Sequence, residues 1–541
     1  MAHAQYPCDE GVVHGNKKST PCADSAKPWI LAATILGSSM AQINSSTVNV
    51  ALPALQESLG ANVVDIQWVV NAYTLFLAAL ILLGGSLGDH FGRNRIFMLG
   101  VALFAGAAVW CGLAPNVPQL IVARGVQGVG GALLVPGSLA IISASFPEGE
   151  RGRAIGLWAA FSAMTSGAGP VLGGWLIDTL SWRWIFFVNI PFAIAVIAIA
   201  WWRVPESRDD KVEGGLDWWG ASLATVGLGG ITYGFLESSN RGFGNLSVVA
   251  AFVVGVLAVV AFIVVERRLK APMVPMKLFT SKTFSGANLL TVLLYAALGG
   301  ALFFLPLNLI QVQGYSATAA GAALLPFIAL MSLLSSWSGG LIARFGAKLP
   351  LTVGPVIVAA GFLLFTLPGT SGSYWTTFFP AISVMGFGMA ISVAPLTTAV
   401  MNAVATHYAG TASGINNAAS RVAGLLAVAI FGVIMVIAFG SALRGQLEPL
   451  NLSEEVRSTI LSNRADLASI RIPEEVADTA AVETAINEAF VYGFRVVMFI
   501  SAALAALSAL IAWGMIEGKV AEQDEAQSEA GQSSTGEAAA A

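Results

Sequence analysis

The charged side chains that interrupt long apolar runs are the first residues in this chain that could do chemistry. Arg124 lies in the run LIVARGVQGVGGA, which holds no other charge. Burial of one arginine in hydrocarbon costs about 2.5–3.5 kcal/mol on insertion scales, so such a residue marks a functional site by default. The alternative is an arginine near a helix end whose side chain reaches the membrane interface. We predict a functional role for Arg124.

A glycine-rich turn carries the second set of charged candidates. In GGSLGDHFGRNR (84–95), Asp89 stands close in sequence to Arg93 and Arg95. Glycines allow helices to approach closely, and an acid facing arginines at a helix end can hold a protein in one state and release it in another. The alternative is a solvated basic turn without such a role. We predict that the acid and the two arginines form a conformational latch.

This turn has a weaker second copy in the other half of the chain. The segment SGGLIARFGAKL (338–349) repeats glycine, leucine and Phe-Gly at the same spacing, with Ala343 at the position of Asp89. Repeats at corresponding places in two halves are typical of transporters built from duplicated bundles. Only the first copy can supply the acid of a latch.

The composition around these candidates is that of a membrane protein. Hydrophobic residues make up 56% of the 541 positions. Charged residues make up 11%, whereas soluble domains are about a quarter charged. The net charge of −4 gives no reason to expect a nucleic-acid partner. Cys8, Cys22 and Cys111 form no CxxC pair and join no histidine cluster, so we predict neither a metal site nor a cofactor.

One short motif is shared with hydrolases. GGSLG (84–88) matches the G-x-S-x-G nucleophile pattern, which requires a strand-to-helix elbow with histidine and acid partners. Here the motif ends an apolar run of helix length, and only His90 lies near Ser86 in the sequence. We therefore predict that the chain is not an enzyme.

Apolar runs of spanning length indicate fourteen transmembrane helices. We place these spans at 29–52, 66–87, 96–114, 119–144, 154–177, 183–202, 217–236, 246–265, 284–310, 318–342, 349–368, 375–402, 411–440 and 490–515. Most of the 27 lysines and arginines fall on one side of this arrangement, whereas the short loops of the other side hold only Arg183 and Arg241. Because basic loops stay in the cytoplasm, we predict that both termini are cytoplasmic and that the chain is a multi-pass protein of the bacterial inner membrane.

Together these motifs resemble the major facilitator superfamily. The turn at 84–95 is similar to its signature loop, and LIVARGVQGVGGA is similar to its fourth-helix motif, in which the arginine is associated with proton transfer. The stretch SGAGPVLGGW, with Gly169 and Pro170, resembles the motif held to mark antiporters. TVNVALPALQ (47–56), IQWVVNAYTL (66–75) and SWRWIFFVNIP (181–191) favour the fourteen-helix drug:proton antiporter branch.

The resemblance implies an all-α membrane fold with two six-helix bundles and two extra helices. The expected parts are a cytoplasmic tail (1–28), a first bundle (29–202), two extra helices with their loops (203–283), a second bundle (284–515) that includes an outer loop (441–489), and a disordered cytoplasmic tail (516–541). The implied function is export of small amphipathic or drug-like compounds by alternating access, coupled to protons. Translocation of a lipid or amphipathic metabolite on the same fold is the alternative, and a periplasmic or outer-membrane partner stays an open question.

The sequence departs from the family pattern at Asn44. The family has an aspartate there, and an asparagine cannot lose a proton as a carboxylic acid does. The other acids of the first half fall at predicted helix ends or in loops, and none lies between Arg267 and Leu447. Coupling through Asp89, Asp178 or Glu237, the absence of standard coupling, and a substitution that holds one conformation all remain open.

Polar and aromatic residues inside the predicted spans are candidates for the lining of a substrate cavity, because such residues usually face the bundle interior. The candidates are Gln42, Asn44, Asn71, Tyr73, Met164, Tyr295, Asn308, Gln311, Trp337 and Asn402. With no acid at this depth, we predict that neutral, amphipathic or anionic substrates are favoured over strongly cationic ones.

Overall fold

The computed structural model describes residues 26–146, 148–208, 216–269, 272–404, 408–476 and 478–517. These residues form helices joined by short turns, and no strand occurs among them. The all-α prediction is confirmed. The two predicted tails fall almost entirely outside the described residues.

Among the described residues, fourteen principal helical segments follow one another in sequence. They are α1 (Lys27–Leu59), α2 (Val63–Phe91), α3 (Arg93–Leu113), α4 (Val117–Ser145), α5 (Glu148–Thr179), α6 (Asn189–Arg203), α7 (Trp218–Arg241), α8 (Leu246–Arg268), α9 (Lys282–Leu307), α10 (Ala317–Ala323, Leu325–Gly339 and Leu341–Phe345), α11 (Lys348–Leu364), α12 (Phe378–Asn402), α13 (Ala409–Leu447) and α14 (Thr479–Met515). A single helical turn, Trp184–Phe187, precedes α6, and a π-helical turn, Asn308–Val312, continues α9.

Each predicted span coincides with one of these helices. Among the described residues, 10 helices are long and apolar enough to cross a membrane, and α11 is apolar but shorter. The remaining three, α1, α5 and α7, are long helices that contain more serine, threonine, asparagine and glycine. Polar and small residues in long helices indicate helix–helix contacts rather than contact with lipid.

Side-chain caps set where several helices begin. At the start of α2, Asn62 accepts a hydrogen bond from the Asp65 nitrogen at 2.9 Å, and Asp65 accepts one from the Asn62 nitrogen at 3.0 Å. At the start of α4, Asn116 accepts a hydrogen bond from the Gln119 nitrogen at 3.1 Å. Such caps satisfy amide groups that a helix leaves free in its first turn.

Glycines bring the helices into close contact. A Cβ atom at Gly130 of α4 would lie 2.6 Å from the Phe104 nitrogen of α3. A Cβ atom at Gly255 of α8 would lie 2.7 Å from the Ile231 nitrogen of α7. Larger residues would separate these pairs, so the high glycine content follows from the packing of the helices.

The two copies of the glycine turn adopt related conformations. Gly92 ends α2 with φ 108°, and Gly346 ends α10 with φ 70°. Side chains other than glycine rarely adopt such positive φ angles. The next helix, α3 or α11, starts within two residues of each turn. We call the side of the molecule that carries these two turns the basic side, and the opposite side the far side.

The structure differs from the predicted spans at two places. α13 and α14 contain 39 and 37 residues, so each is about 55–60 Å long and projects well beyond a membrane core of about 30 Å. The segment between them is therefore 448–478 rather than 441–489, and it contains a short helix, Glu454–Ser462. The predicted span 318–342 is broken into pieces, with Pro326 at the start of the second piece.

Candidate functional site

Arg124 lies at the centre of a polar cluster between α1, α2 and α4. Its side chain is 1% exposed, so the alternative of an arginine reaching the interface does not hold. Its Nε donates a hydrogen bond to the Val69 carbonyl oxygen at 3.0 Å, and its Nη1 donates one to Gln127 Oε1 at 2.7 Å. The guanidinium carbon lies 4.4 Å from the centre of the Tyr73 ring, a distance suited to a cation–π interaction.

Asn44 belongs to the same cluster. Gln127 Nε2 donates a hydrogen bond to Asn44 Oδ1 at 3.3 Å, so Gln127 joins Asn44 to Arg124. Asn44 is fully buried, and its Nδ2 has no hydrogen-bond partner among the described residues. The cluster therefore carries one positive charge, and no described carboxylate joins it. Sequence reasoning did not select Gln127, although it lies three residues after Arg124 on the same helix.

A second arginine, also missed in the sequence, faces this cluster from the other bundle. Arg421 lies on α13, inside the predicted span 411–440. Its Nε donates a hydrogen bond to Asn417 Oδ1 at 3.2 Å. Its positive charge interacts electrostatically with the phenol groups of Tyr73 and Tyr295. The criterion that singled out Arg124, a charge within an apolar span, would also have found Arg421.

The predicted cavity residues separate into three groups. Asn44, Tyr73 and Tyr295 lie at the two arginines, and Asn71 is buried near them on α2 with both polar side-chain atoms unpartnered. Near the far side, Gln311 Nε2 donates hydrogen bonds to Gln56 and Ser469, and Asn308 accepts one from Gln313. The structure does not bring the others into the central cluster: Gln42 is half-buried, and Met164, Trp337 and Asn402 are exposed.

One of the two ion pairs predicted for the glycine turn is present. Arg93 Nε contacts Asp89 Oδ1 at 2.8 Å. Arg95 contacts Glu206 instead of Asp89, with an Nε–Oε2 distance of 3.5 Å, because the start of α3 turns its side chain toward the segment after α6. The prediction of one network with both arginines on Asp89 is therefore corrected.

Glu206 also caps the start of α3. Its carboxylate accepts hydrogen bonds from the backbone nitrogens of Asn94 at 3.0 Å and Arg95 at 3.1 Å. A Cβ atom at Gly92 would lie 2.6 Å from the carboxyl carbon of Glu206, so the turn needs glycine here for space as well as for its φ angle. Burial raises the pKa of Glu206, and the hydrogen bonds from Asn94, Ser207 and Arg95 oppose that shift.

On the far side, α5 and α10 are joined across the two bundles. Asp178 accepts hydrogen bonds from the backbone nitrogens of Ala317 at 3.2 Å and Thr318 at 2.8 Å, and from the Thr318 hydroxyl. The carboxylate therefore binds the first turn of α10, where the helix dipole favours an anion. Slight burial acts to raise the pKa of Asp178, but the hydrogen bonds from Thr318 and Ala317 outweigh it and lower the pKa.

The antiporter-like stretch forms part of this contact. A Cβ atom at Gly321 of α10 would collide with the carbonyl oxygen of Pro170. A Cβ atom at Gly169 would collide with Ser46 Oγ of α1, and one at Gly174 with the Ala317 carbonyl oxygen. The glycines of SGAGPVLGGW thus let α5 touch both α1 and α10.

These contacts close the far side, and the side chains of the central cluster are buried behind them. Gln67 Nε2 of α2 donates a hydrogen bond to the Val428 carbonyl oxygen of α13 at 3.0 Å, which adds a second link between the bundles. Asn417 lies one helical turn closer than Arg421 to the basic end of α13, and it is exposed. Asn417 accepts the hydrogen bond from Arg421, and Arg421 is close enough to Tyr73 of the other bundle for an electrostatic interaction.

The chain is similar to known proteins over almost its whole length. The family model described as Major Facilitator Superfamily matches residues 34–428. The multidrug resistance protein Stp of Mycobacterium tuberculosis is 31% identical over 89% of this chain and 91% of its own. The tetracenomycin C resistance and export protein of Streptomyces glaucescens is 30% identical over 93% of both chains, and a methylenomycin A resistance protein of Bacillus subtilis is 34% identical over 75% of this chain and 87% of its own.

Solved structures agree on the fold. A bacterial homologue of the human lysosomal transporter Spinster has a TM-score of 0.63 at 18% identity, and covers 90% of this chain and 98% of its own. The xylose transporter XylE from E. coli has a TM-score of 0.58 at 13% identity, with 92% of this chain and 100% of its own covered. The major facilitator fold inferred from the motifs is therefore confirmed, and this multi-pass membrane protein belongs to the Major Facilitator Superfamily.

Proposed function

We propose that this chain is a secondary active transporter of the bacterial plasma membrane, without enzymatic activity, that exports small amphipathic or drug-like compounds. Both termini are cytoplasmic in this proposal, so the basic side faces the cytoplasm. The observation that carries the proposal is the buried polar cluster of Asn44, Arg124 and Tyr73, which faces Arg421 across the two bundles and lies behind a closed far side. A central site open to one side at a time is what alternating access requires.

The activities named for the relatives support drugs as the cargo. Three of them are resistance or export proteins for an antibiotic or for multiple drugs, and each is at least 30% identical to this chain. The lining of the space between the bundles agrees with cargo of that kind, because it combines phenol rings with a few amide and guanidinium groups. Ligand sites of this composition bind amphipathic molecules.

Transport would exchange closed contacts on one side for closed contacts on the other. In this conformation Asp178 holds α10 on the far side, and among the described residues Asp89 is paired with Arg93 of its own turn. We propose that opening of the far side releases Asp178 and brings the latch at Asp89 into contact with the second bundle. The cargo at the central cluster then reaches the outside.

Position 44 cannot carry a proton during transport, because it is an asparagine whose side chain does not ionise. If export depends on a pH gradient, an acid at a helix end must bind the proton, with Asp89 the first choice and Asp178 the next. Asp178 is exposed on the far side, and its lowered pKa keeps it ionised at neutral pH while the contact is formed. Its role in the proposal is therefore to hold the closed contact, and proton uptake there requires the open state.

The test is transport into inverted membrane vesicles, with tetracenomycin C, puromycin and a fluorescent phospholipid as separate cargoes and with or without an imposed pH gradient. We expect uptake of at least one drug by the parent chain and none by Gly321→Leu, because a leucine side chain would collide with Pro170 and prevent far-side closure. Gly445→Leu, at a glycine with open space around it, is the matched control. Uptake of the lipid alone would replace drug export with lipid translocation, and uptake of neither would contradict the proposal.

A further inference from the structure

We propose that Arg421 binds the anionic group of the cargo, so that the compounds exported include amphipathic organic anions such as carboxylates and sulfonates. This inference rests on the proposed export function and assigns a charge to its substrate.

The position of Arg421 places its guanidinium in the space between the bundles. Its charge acts on Tyr73 of α2 and on Tyr295 of α9, which belong to different bundles. Its Nε is held by Asn417 at 3.2 Å, and Asn417 is exposed. The Nε of the guanidinium group is therefore held by its own helix, one turn from an exposed residue on the basic side.

Arg421 has no carboxylate partner in the described part of the chain. From Arg267 to Leu447 the sequence holds no Asp or Glu, so α9 to α13 cannot supply one. From the first bundle the facing groups are Tyr73, which is neutral, and Arg124, which is positively charged. Both arginines interact electrostatically with the Tyr73 phenol. A cation at this depth without a counter-ion is costly, and an anionic ligand would offset that cost.

Further hydrogen-bond donors surround this charge. The hydroxyl groups of Tyr73 and Tyr295 make no hydrogen bond to any described residue. Each can donate to an oxyanion, and a guanidinium group presents several N–H groups in a planar fork that matches a carboxylate or a sulfonate. The site thus offers positive charge and donors, and its ring faces can contact the apolar part of an amphipathic anion.

The sign of this charge also matters for the energy of export. A monovalent anion that leaves a cell with a negative interior moves down the membrane potential, which supports a gradient of about fiftyfold per 100 mV. An anion exporter therefore does not need the carboxylate that Asn44 replaces. The missing family acid and an arginine that has no carboxylate partner among the described residues then have one common explanation.

A matched pair of probes tests the proposal. Anilinonaphthalene sulfonate carries a fixed negative charge, and phenylnaphthylamine has the same ring system without it. Equilibrium dialysis against the purified full-length chain measures the binding of each probe to the parent, Arg421→Gln, Arg421→Lys and Arg444→Gln. Arg444 lies on the same helix, is exposed and is remote from the central cluster, so its variant controls for the loss of one positive charge.

We expect Arg421→Gln to weaken binding of the sulfonate about tenfold or more, the effect of losing one hydrogen bond to a charged group. Binding of phenylnaphthylamine should be unchanged in this variant. Arg421→Lys should recover most of the sulfonate affinity, and Arg444→Gln should match the parent. Sulfonate binding that Arg421→Gln leaves unchanged, or an equal loss for both probes, would overturn the proposal.

A second readout separates this proposal from the proposed function. In inverted vesicles, uptake of sulfonate by the parent should rise when valinomycin and a potassium gradient make the lumen positive, and uptake of the neutral probe should not. Failure of the parent to move either probe would count against export. The dialysis result would still decide on its own whether Arg421 binds an anion.

Discussion

Asn44 decides the charge balance of the site. At this position the family pattern has an acid, and here an amide accepts a hydrogen bond from Gln127, which in turn accepts one from Arg124. Arg124 therefore has polar neighbours but no carboxylate among the described residues. The consequence at the residue scale is that Arg124 is buried and Arg421 is partly buried, and neither has a carboxylate partner among the described residues.

Restoring the acid at position 44 tests this charge balance. We expect Asn44→Asp to add a titratable group to the cluster, to introduce a new pH dependence of transport, and to raise transport of organic cations, which a negative charge attracts. Asn44→Gln, which keeps the amide, is the control. The measurement is uptake of a cationic dye such as ethidium into inverted vesicles across a range of pH values. If Asn44→Asp and the parent give the same pH profile and cation uptake, position 44 has a packing role only.

The Asp89–Arg93 pair makes a separate prediction at this scale. If Asp89 also binds the second bundle when the far side opens, Asp89→Asn should favour the conformation with a closed far side and reduce transport. Expression should hardly change, because the pair lies at the end of a helix and is partly exposed. Accessibility of a cysteine at the far side, measured by thiol labelling, reports the shift in population. If Asp89→Asn matches Asp89→Glu and the parent in labelling and transport, Asp89 has no role in the conformational change. The turn would then serve only to set the topology.

At the scale of helices, the closest link between the bundles is the capping of α10 by Asp178. A carboxylate whose pKa is lowered in the folded contact stabilises that contact at pH values above its ordinary pKa of 3.8. The contribution is lost as the pH falls through the lowered pKa. From pH 7 to pH 5 the contact should therefore keep its strength.

Asp178→Asn should weaken this contact at every pH in that range, because an amide is a poorer acceptor for the helix terminus than a carboxylate. Loss of a side-chain cap costs about 1 kcal/mol, which corresponds to about a fivefold shift toward the open far side. Thiol labelling of a far-side cysteine at pH 7 and pH 5 measures the shift. The control is Glu57→Gln, because Glu57 is another far-side acid and makes no hydrogen bond or ion pair to a described residue. A strong pH dependence in the parent between these two values would contradict the assignment.

How well the sequence predicted each element depended on whether the information was local. The apolar runs predicted the order of the helices, and the repeated residues at 84–95 and 338–349 predicted two related turns. The break in α10 and the length of α13 were missed, because apolar composition does not report where a helix bends or how far it continues beyond the membrane. The pairing of Arg95 with Glu206 was also missed, since the two residues are 111 positions apart and no pattern links them.

At the scale of the whole molecule, the charge distribution predicts which side faces the cytoplasm. Reporter groups at Ser462, between α13 and α14, and at Gln527, in the C-terminal tail, should be accessible from opposite sides of the membrane. Labelling of single cysteines with a membrane-impermeant maleimide in intact cells measures this. Access to both positions from the same side would contradict the predicted topology. The proposed direction of transport would then be wrong as well.

Alternating access through the space between the bundles is the central claim, and a reversible cross-link across the far side tests it most directly. Asp178→Cys and Thr318→Cys place thiols at the two ends of the contact between α5 and α10, and a short bis-methanethiosulfonate reagent joins them. Drug uptake into inverted vesicles is then measured before cross-linking, after it, and after reduction, with each single-cysteine variant as a control. We expect uptake to stop on cross-linking and to return on reduction. Uptake that continues while the far side is held closed would contradict the account.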